Sequence, residues 1–228
     1  MTVRNYLILL LTVLIIGCDS NTAENYFNNG NEIVSTGNYT DAIKLYSKAI
    51  NKNPNLKEAY IQRGICYENL NQDSLAIQDY NSLLKIDKKN TLALFHLGLI
   101  NFKLDSYSEA IDFYNKALDS KIISTLNDSA NTPILADKTN FYKENFDVPL
   151  SQIYYERGLA YYNDRQNKNA FNDFQFCINK NYLPGESYYM TGLCWLVISD
   201  KDRACEAFKK GAFYGDSLSK EELKTTCD

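Results

Sequence analysis

The chain has 228 residues, of which 45% are hydrophobic and 13% aromatic, and its 18 Tyr and 11 Phe supply the buried surface that a disordered chain lacks. A net charge of −4 with no basic run excludes phosphate-backbone binding, so no nucleic-acid partner is expected. One histidine, His96, and scattered cysteines exclude the usual zinc sites and any catalytic triad needing a second His, and the 4 Pro and 10 Gly are too few for a turn-rich β-sandwich.

The first segment reads as an address. Met1-Thr-Val-Arg-Asn5 carries one positive charge, and Tyr6 to Ile16 is apolar apart from Thr12. Eleven helical residues span roughly 17 Å, short of the roughly 30 Å hydrocarbon core, which fits a secretory signal rather than a membrane span. The stretch ends at Ile15-Ile16-Gly17-Cys18, which resembles the bacterial lipoprotein signal box. That resemblance implies cleavage after residue 17 and acylation, including palmitate, of Cys18. The alternatives are an ordinary signal peptide or an uncleaved anchor. Lipidation implies a bacterial envelope protein anchored at the outer membrane or the periplasmic face of the inner membrane. Asp19 resembles an inner-membrane retention signal, but that rule varies between bacterial groups and leaves the membrane open. Residues 18–22 form a short lipidated tether.

Beyond it the chain repeats itself. Glycines stand at 30, 64, 98, 158 and 192, spaced by 34, 34, 60 and 34. Each is followed twelve residues later by Ala42, Ala76, Ala110, Ala170 or Ala204. Four residues further stands Tyr46, Tyr80, Tyr114, Phe174 or Phe208. Second-helix stretches such as Asp41–Ala49 and Glu109–Ala117 carry apolar residues at helical spacing.

This pattern resembles the tetratricopeptide repeat (TPR), a 34-residue helix–turn–helix unit with small residues at positions 8 and 20 and bulky ones at 4, 11 and 24. The resemblance implies an all-α, right-handed superhelix of about five repeats. They are 23–56, 57–90 and 91–120, then 151–184 and 185–218, with a C-terminal cap at 219–228. Positions 8 and 20 are expected to face each other across each hairpin. Gly37 fits a hairpin turn, and Lys88, Asn101 and Gly211 depart from the family pattern. Ser219-Lys-Glu-Glu222 reads as a capping box opening the cap helix, with Leu223 and Cys227 covering the last repeat.

Residues 121–150 are an insertion. Its first part is polar, Thr132-Pro133 is a helix-opening pair, and Phe141, Tyr142, Phe146, Val148 and Leu150 follow. The segment reads either as an aromatic flap or second contact surface, or as a surface loop whose end extends the fourth repeat.

No Gly-rich phosphate loop, no G-x-S-x-G and no H-E-x-x-H is present, so no enzyme, no metal site and no cofactor are expected. His96 reads as a packing or surface residue. The resemblance instead implies a ligand surface on the concave face, lined by first-helix positions 5, 9 and 12 among others. These are Phe27, Asn31 and Val34; Ile61, Ile65 and Glu68; Phe95, Leu99 and Phe102; Tyr155, Leu159 and Tyr162; and Tyr189, Leu193 and Leu196. They make an apolar and aromatic stripe of the kind that marks interaction sites, although positions 5 and 12 also belong partly to the packing between repeats. Six such side chains offer roughly 10–15 kcal/mol against an association cost of about 4–15 kcal/mol, enough for a micromolar complex. Phe27 and Phe95 stand where the carboxylate-clamp subtype needs Lys, so an apolar segment or helix is the expected ligand.

The remaining cysteines are small buried hydrophobes, or one pair is oxidised. Cys194–Cys205 and Cys205–Cys227 are the candidate bridges. The expectation is a non-enzymatic, membrane-anchored scaffold or adaptor for a protein or peptide partner. By analogy of fold it falls beside TPR lipoproteins of outer-membrane protein assembly, pilus assembly or envelope protease regulation. The alternative is a carbohydrate-binding lipoprotein that stacks sugars on the same aromatics.

Overall fold

The computed structural model describes residues 21–130 and 148–227, the side chains of 123–130 excepted. The signal segment, Cys18, Thr132-Pro133 and the aromatics at 141, 142 and 146 lie outside the described residues. Eleven helices and no strands occur among the described residues. They are α1 (Ala23–Val34), α2 (Tyr39–Lys52), α3 (Lys57–Asn69), α4 (Asp73–Ile86), α5 (Thr91–Lys103), α6 (Tyr107–Ala130), α7 (Leu150–Asn163), α8 (Asn167–Asn179), α9 (Pro184–Val197), α10 (Lys201–Phe213) and α11 (Ser217–Thr225). None of them is long and apolar enough to cross a membrane. Two compact units result, one ending at Gln72 with α1–α3 and one starting at Asp73 with α4–α11. Within each unit every helix packs on the next in sequence.

Short polar side chains start four of the helices. The Thr22 hydroxyl accepts from the Asn25 amide, Asn38 from Asp41, Asn90 from Ala93, and Asp200 from Arg203. Each satisfies an amide that the first helical turn leaves unpaired. First helices end on a residue with positive φ at one repeat position: Gly37, Asn71, Asp105, Arg165 and Ser199. After the last four of these, the next amide reaches back to close the helix end, from Gln72, Ser106, Gln166 and Asp200 to the carbonyls of Tyr67, Asn101, Tyr161 and Trp195. Gly37 meets the expected role, and four non-glycine residues occupy the same strained conformation.

The glycines are packing residues. A Cβ on Gly30, Gly98, Gly158 or Gly192 would come within 3 Å of the ring of Tyr46, Tyr114, Phe174 or Phe208. The closest neighbour of position 8 is therefore the position-24 ring, not the position-20 alanine expected to face it. One turn beyond each alanine, the ring lies flat against the glycine and takes up the space of the missing side chain. All four rings are fully buried. A second contact repeats beside the first: position 5 packs on the same ring, with centroids 5.8 Å apart for Phe27–Tyr46 and 5.9 Å for Phe95–Tyr114, Tyr155–Phe174 and Tyr189–Phe208.

The insertion is partly helical, since α6 runs on to Ala130. At its far end Val148 is buried in one apolar cluster with Leu118 and Ile153, and Pro149 caps α7. The C-terminal cap starts earlier than the capping box suggests. Asp216 is the N-cap of α11 and accepts from the Ser219 amide at 2.6 Å. Ser219 is buried instead against Gly211, where a Cβ would strike its hydroxyl. Gly211 therefore departs from the family pattern because the cap packs there. A disulfide joins Cys205 on α10 to Cys227 after α11. Cys194 takes no part in it and is buried as a free thiol, as are Cys66 and Cys177.

Candidate functional site

First-helix positions 5, 9 and 12 divide by burial. Phe27, Ile61 and Phe95 are only 6%, 4% and 3% exposed, so they leave the open stripe and join the core. For Phe27 and Phe95 the reason is the ring contact with Tyr46 and Tyr114. Asn31 is half-buried, and its side-chain oxygen accepts from the Tyr46 hydroxyl at 2.8 Å. Its polar group thus serves the first repeat internally. In the first unit Val34 and Ile65 stay partly exposed.

In the second unit the stripe persists. Leu99 and Phe102 on α5, Leu159 and Tyr162 on α7, and Leu193 and Leu196 on α9 are all half-buried. Leu99 and Phe102 flank the cluster around Tyr114, while Leu159, Tyr162 and Leu193 flank the cluster of Phe174, Met190 and Cys194. Tyr155 and Tyr189 stay half-buried although each packs on its position-24 ring as Phe27 and Phe95 do. Burial, then Glu186 and Glu156, push the Tyr155 hydroxyl up to about 12. Tyr189 is raised by burial and, among nearby groups, by Glu222, Asp216 and Glu221.

Two features of α7 are not singled out by the glycine–aromatic pattern. The first is Glu156, next to Tyr155 on α7. It is half-buried, its carboxyl is pushed up by desolvation, and no cation lies within ion-pair distance among the described residues. After burial, its charge is the next cause that raises the hydroxyls of Tyr114 and Tyr182. The Tyr114 hydroxyl is buried without a hydrogen-bond partner. The second feature is the pair of Arg157 and Asp173, joined between α7 and α8 by two hydrogen bonds of 2.8 Å. Its sequence signal is a spacing of sixteen that recurs in residue type as Arg63 and Asp79.

His96 stacks on Tyr80 at 5.2 Å and meets the edge of Phe95 at 5.9 Å. Burial pushes the thiols up to about 11 at Cys66 and about 12 at Cys177 and Cys194, so they stay protonated and unreactive at neutral pH. Among the described residues no group of three or more His, Cys, Asp or Glu is placed to hold a metal ion.

Two TPR family models match the chain, one over residues 30–71 and one over 57–90 and 92–121. Human tetratricopeptide repeat protein 12 is 38% identical over 90 residues, which are 40% of this chain and 13% of that protein. The chain thus spans about an eighth of that relative's length. Among solved structures, MamA from Desulfovibrio magneticus is 20% identical with a TM-score of 0.68, covering 86% of this chain and 97% of its own. YrrB, a TPR protein with an unusual peptide-binding site, is 17% identical with a TM-score of 0.68, covering 91% and 94%. Residues 30–121 therefore carry tetratricopeptide repeats, and the described helices on both sides of the insertion have the all-α fold that such repeats build.

Proposed function

We propose that the chain is a non-enzymatic adaptor of the bacterial cell envelope, lipid-anchored at Cys18, that holds an apolar peptide or protein segment on the open face of its repeats. One observation carries the adaptor reading. Leu99, Phe102, Leu159, Tyr162, Leu193 and Leu196 remain partly exposed on α5, α7 and α9, where the first five border the buried clusters without being enclosed by them. A row of apolar side chains left partly open to solvent is the usual mark of an interaction surface. The similarity to YrrB, a protein with a peptide-binding site, supports the reading. The anchor rests on the sequence Ile15-Ile16-Gly17-Cys18.

The surface is tested by placing a photo-crosslinking residue at Leu159, with Lys168 on α8 as a control site. Adducts to a defined protein from Leu159 alone support the adaptor, and equal or no adducts from the two sites contradict it. The anchor is tested apart. Cys18→Ser releases the protein from membranes if lipid holds it, and continued integral-membrane behaviour contradicts the lipid anchor.

A further inference from the structure

The helix that caps the last repeat has few contacts of its own to keep it there. Of the nine residues of α11 only Ser219 is buried, and Leu218 is 49% exposed. Ser219 rests on Gly211 of α10, and a Cβ on Gly185 of α9 would meet the Asp216 Cβ at 3.1 Å. The buried Ser219 hydroxyl has no hydrogen-bond partner. Among the described residues, the side-chain hydrogen bonds of α11 all stay within residues 215–226. Lys220 donates to the Gly215 carbonyl, Thr225 donates to that of Glu221, and Glu222 accepts from Thr226. No ion pair among the described residues joins α11 to α9 or α10.

A helix of this length is marginal in water by itself and depends on what it packs against. Here the packing is one polar side chain on a glycine, with Leu223 half-buried, and an unpaired buried hydroxyl opposes docking. What ties the far end of α11 down is covalent: Cys227, just beyond the helix, is bonded to Cys205 on α10. The bridge is also within reach of solvent. Both of its cysteines are half-buried, whereas Cys66, Cys177 and Cys194 are buried free thiols.

We propose that the Cys205–Cys227 disulfide is a redox lock on the cap. A dithiol reductant opens the bridge, α11 leaves the last repeat and unfolds, and α1–α10 stay folded. One thiolate of the reductant attacks a sulfur of the bridge, forms a mixed disulfide and frees the other cysteine, which takes up a proton. The second thiol of the reductant then displaces the remaining cysteine. Both cysteines end as thiols, and the reductant leaves as its own disulfide, having given up two electrons and two protons. Departure of α11 uncovers Gly185 and Gly211, which are buried in the closed form. This is the end on which a further repeat would stack, so the redox state decides whether the stack presents a closed or an open end. The lock is independent of what the open face of the repeats binds.

The test is amide hydrogen exchange, read by mass spectrometry, on the full chain in its oxidised form, after reduction with dithiothreitol, and as Cys205→Ser without reductant. The expected result is protection over residues 217–225 in the oxidised chain that is lost on reduction and absent from the variant. The amides of α9 and α10 keep their protection in all three, and removal of dithiothreitol under glutathione disulfide restores that of α11. Equal protection of 217–225 with and without the bridge overturns the proposal, because contacts alone then hold the cap. Loss of protection in α9 and α10 along with α11 also overturns it, since the bridge then staples the whole end of the stack. A bridge that dithiothreitol does not open in the native protein overturns it as well.

Discussion

Arg157 holds Asp173 through two parallel hydrogen bonds, Nε to Oδ2 and Nη2 to Oδ1, each 2.8 Å long. Its third donor, Nη1, reaches Asn115 Oδ1 at 2.6 Å, and its guanidinium lies over the rings of Tyr154 and Tyr161 at 5.0 and 5.4 Å. One side chain thus ties α7 and α8 to α6, the helix that runs into the insertion. Removing one member of a buried pair strands the other charge, at about 3–5 kcal/mol. Arg157→Met is expected to lower stability by that amount in urea denaturation. Arg157→Met combined with Asp173→Leu is expected to recover most of it, and no recovery would show that the pair is not energetically coupled.

Gly192 lies under the ring of Phe208, which is fully buried. Gly192→Ala gains helix propensity but forces a buried ring to move, and overpacking of this kind costs about 1–3 kcal/mol. The expected outcome is a lower Tm. An unchanged or higher Tm would show that the ring shifts freely.

Ser199 has φ +61° and is exposed at the α9–α10 turn. Non-glycine residues are strained there by about 1–2 kcal/mol, so Ser199→Gly is expected to raise stability by somewhat less than that. Thermal unfolding followed by circular dichroism measures it, and a lower Tm would locate a role for the serine side chain.

The Cys205–Cys227 bridge closes a segment with a sequence separation of 22. Loop-closure entropy assigns it about 3 kcal/mol. Reduction of the disulfide is expected to lower the Tm, and Cys205→Ser is expected to behave as the reduced protein does. Under native conditions iodoacetamide is expected to spare Cys66, Cys177 and Cys194, whose protonated thiols are buried.

The Glu156 carboxyl is raised from its ordinary value by desolvation. Its contribution to stability is therefore present below the ordinary glutamate range and lost as pH rises through the folded-state value. Glu156→Gln is expected to be the more stable protein at pH 7, with the difference between the two narrowing as pH falls through that range. A difference independent of pH would contradict this.

The fold was legible because one packing constraint recurs. Gly30, Gly98, Gly158 and Gly192 must each accept a ring sixteen residues later, so Gly192 and Phe208 announce themselves at the same spacing as Gly30 and Tyr46. The site was less legible. Spacing places Phe27 and Phe95 on the same first-helix row as Leu99 and Leu159, yet the ring contacts that bury the first two depend on the rotation of each helix about its axis. The turn at Ser199 and the start of the cap at Asp216 depend on backbone geometry that a capping-box pattern does not fix. Glu156 carries no motif, and its burial, which pushes its carboxyl up, is a matter of tertiary packing that spacing does not fix.

The most direct test compares partners captured in cells by the tagged chain and by a Leu99→Ser/Leu193→Ser variant, after chemical crosslinking and mass spectrometry. These two positions are half-exposed, whereas Tyr155 packs on Phe174 and a change there would test the fold instead. The account predicts a defined protein captured by the parent chain and lost from the variant, with the helical circular dichroism spectrum unchanged. The same proteins captured by both, at equal yield, would contradict it.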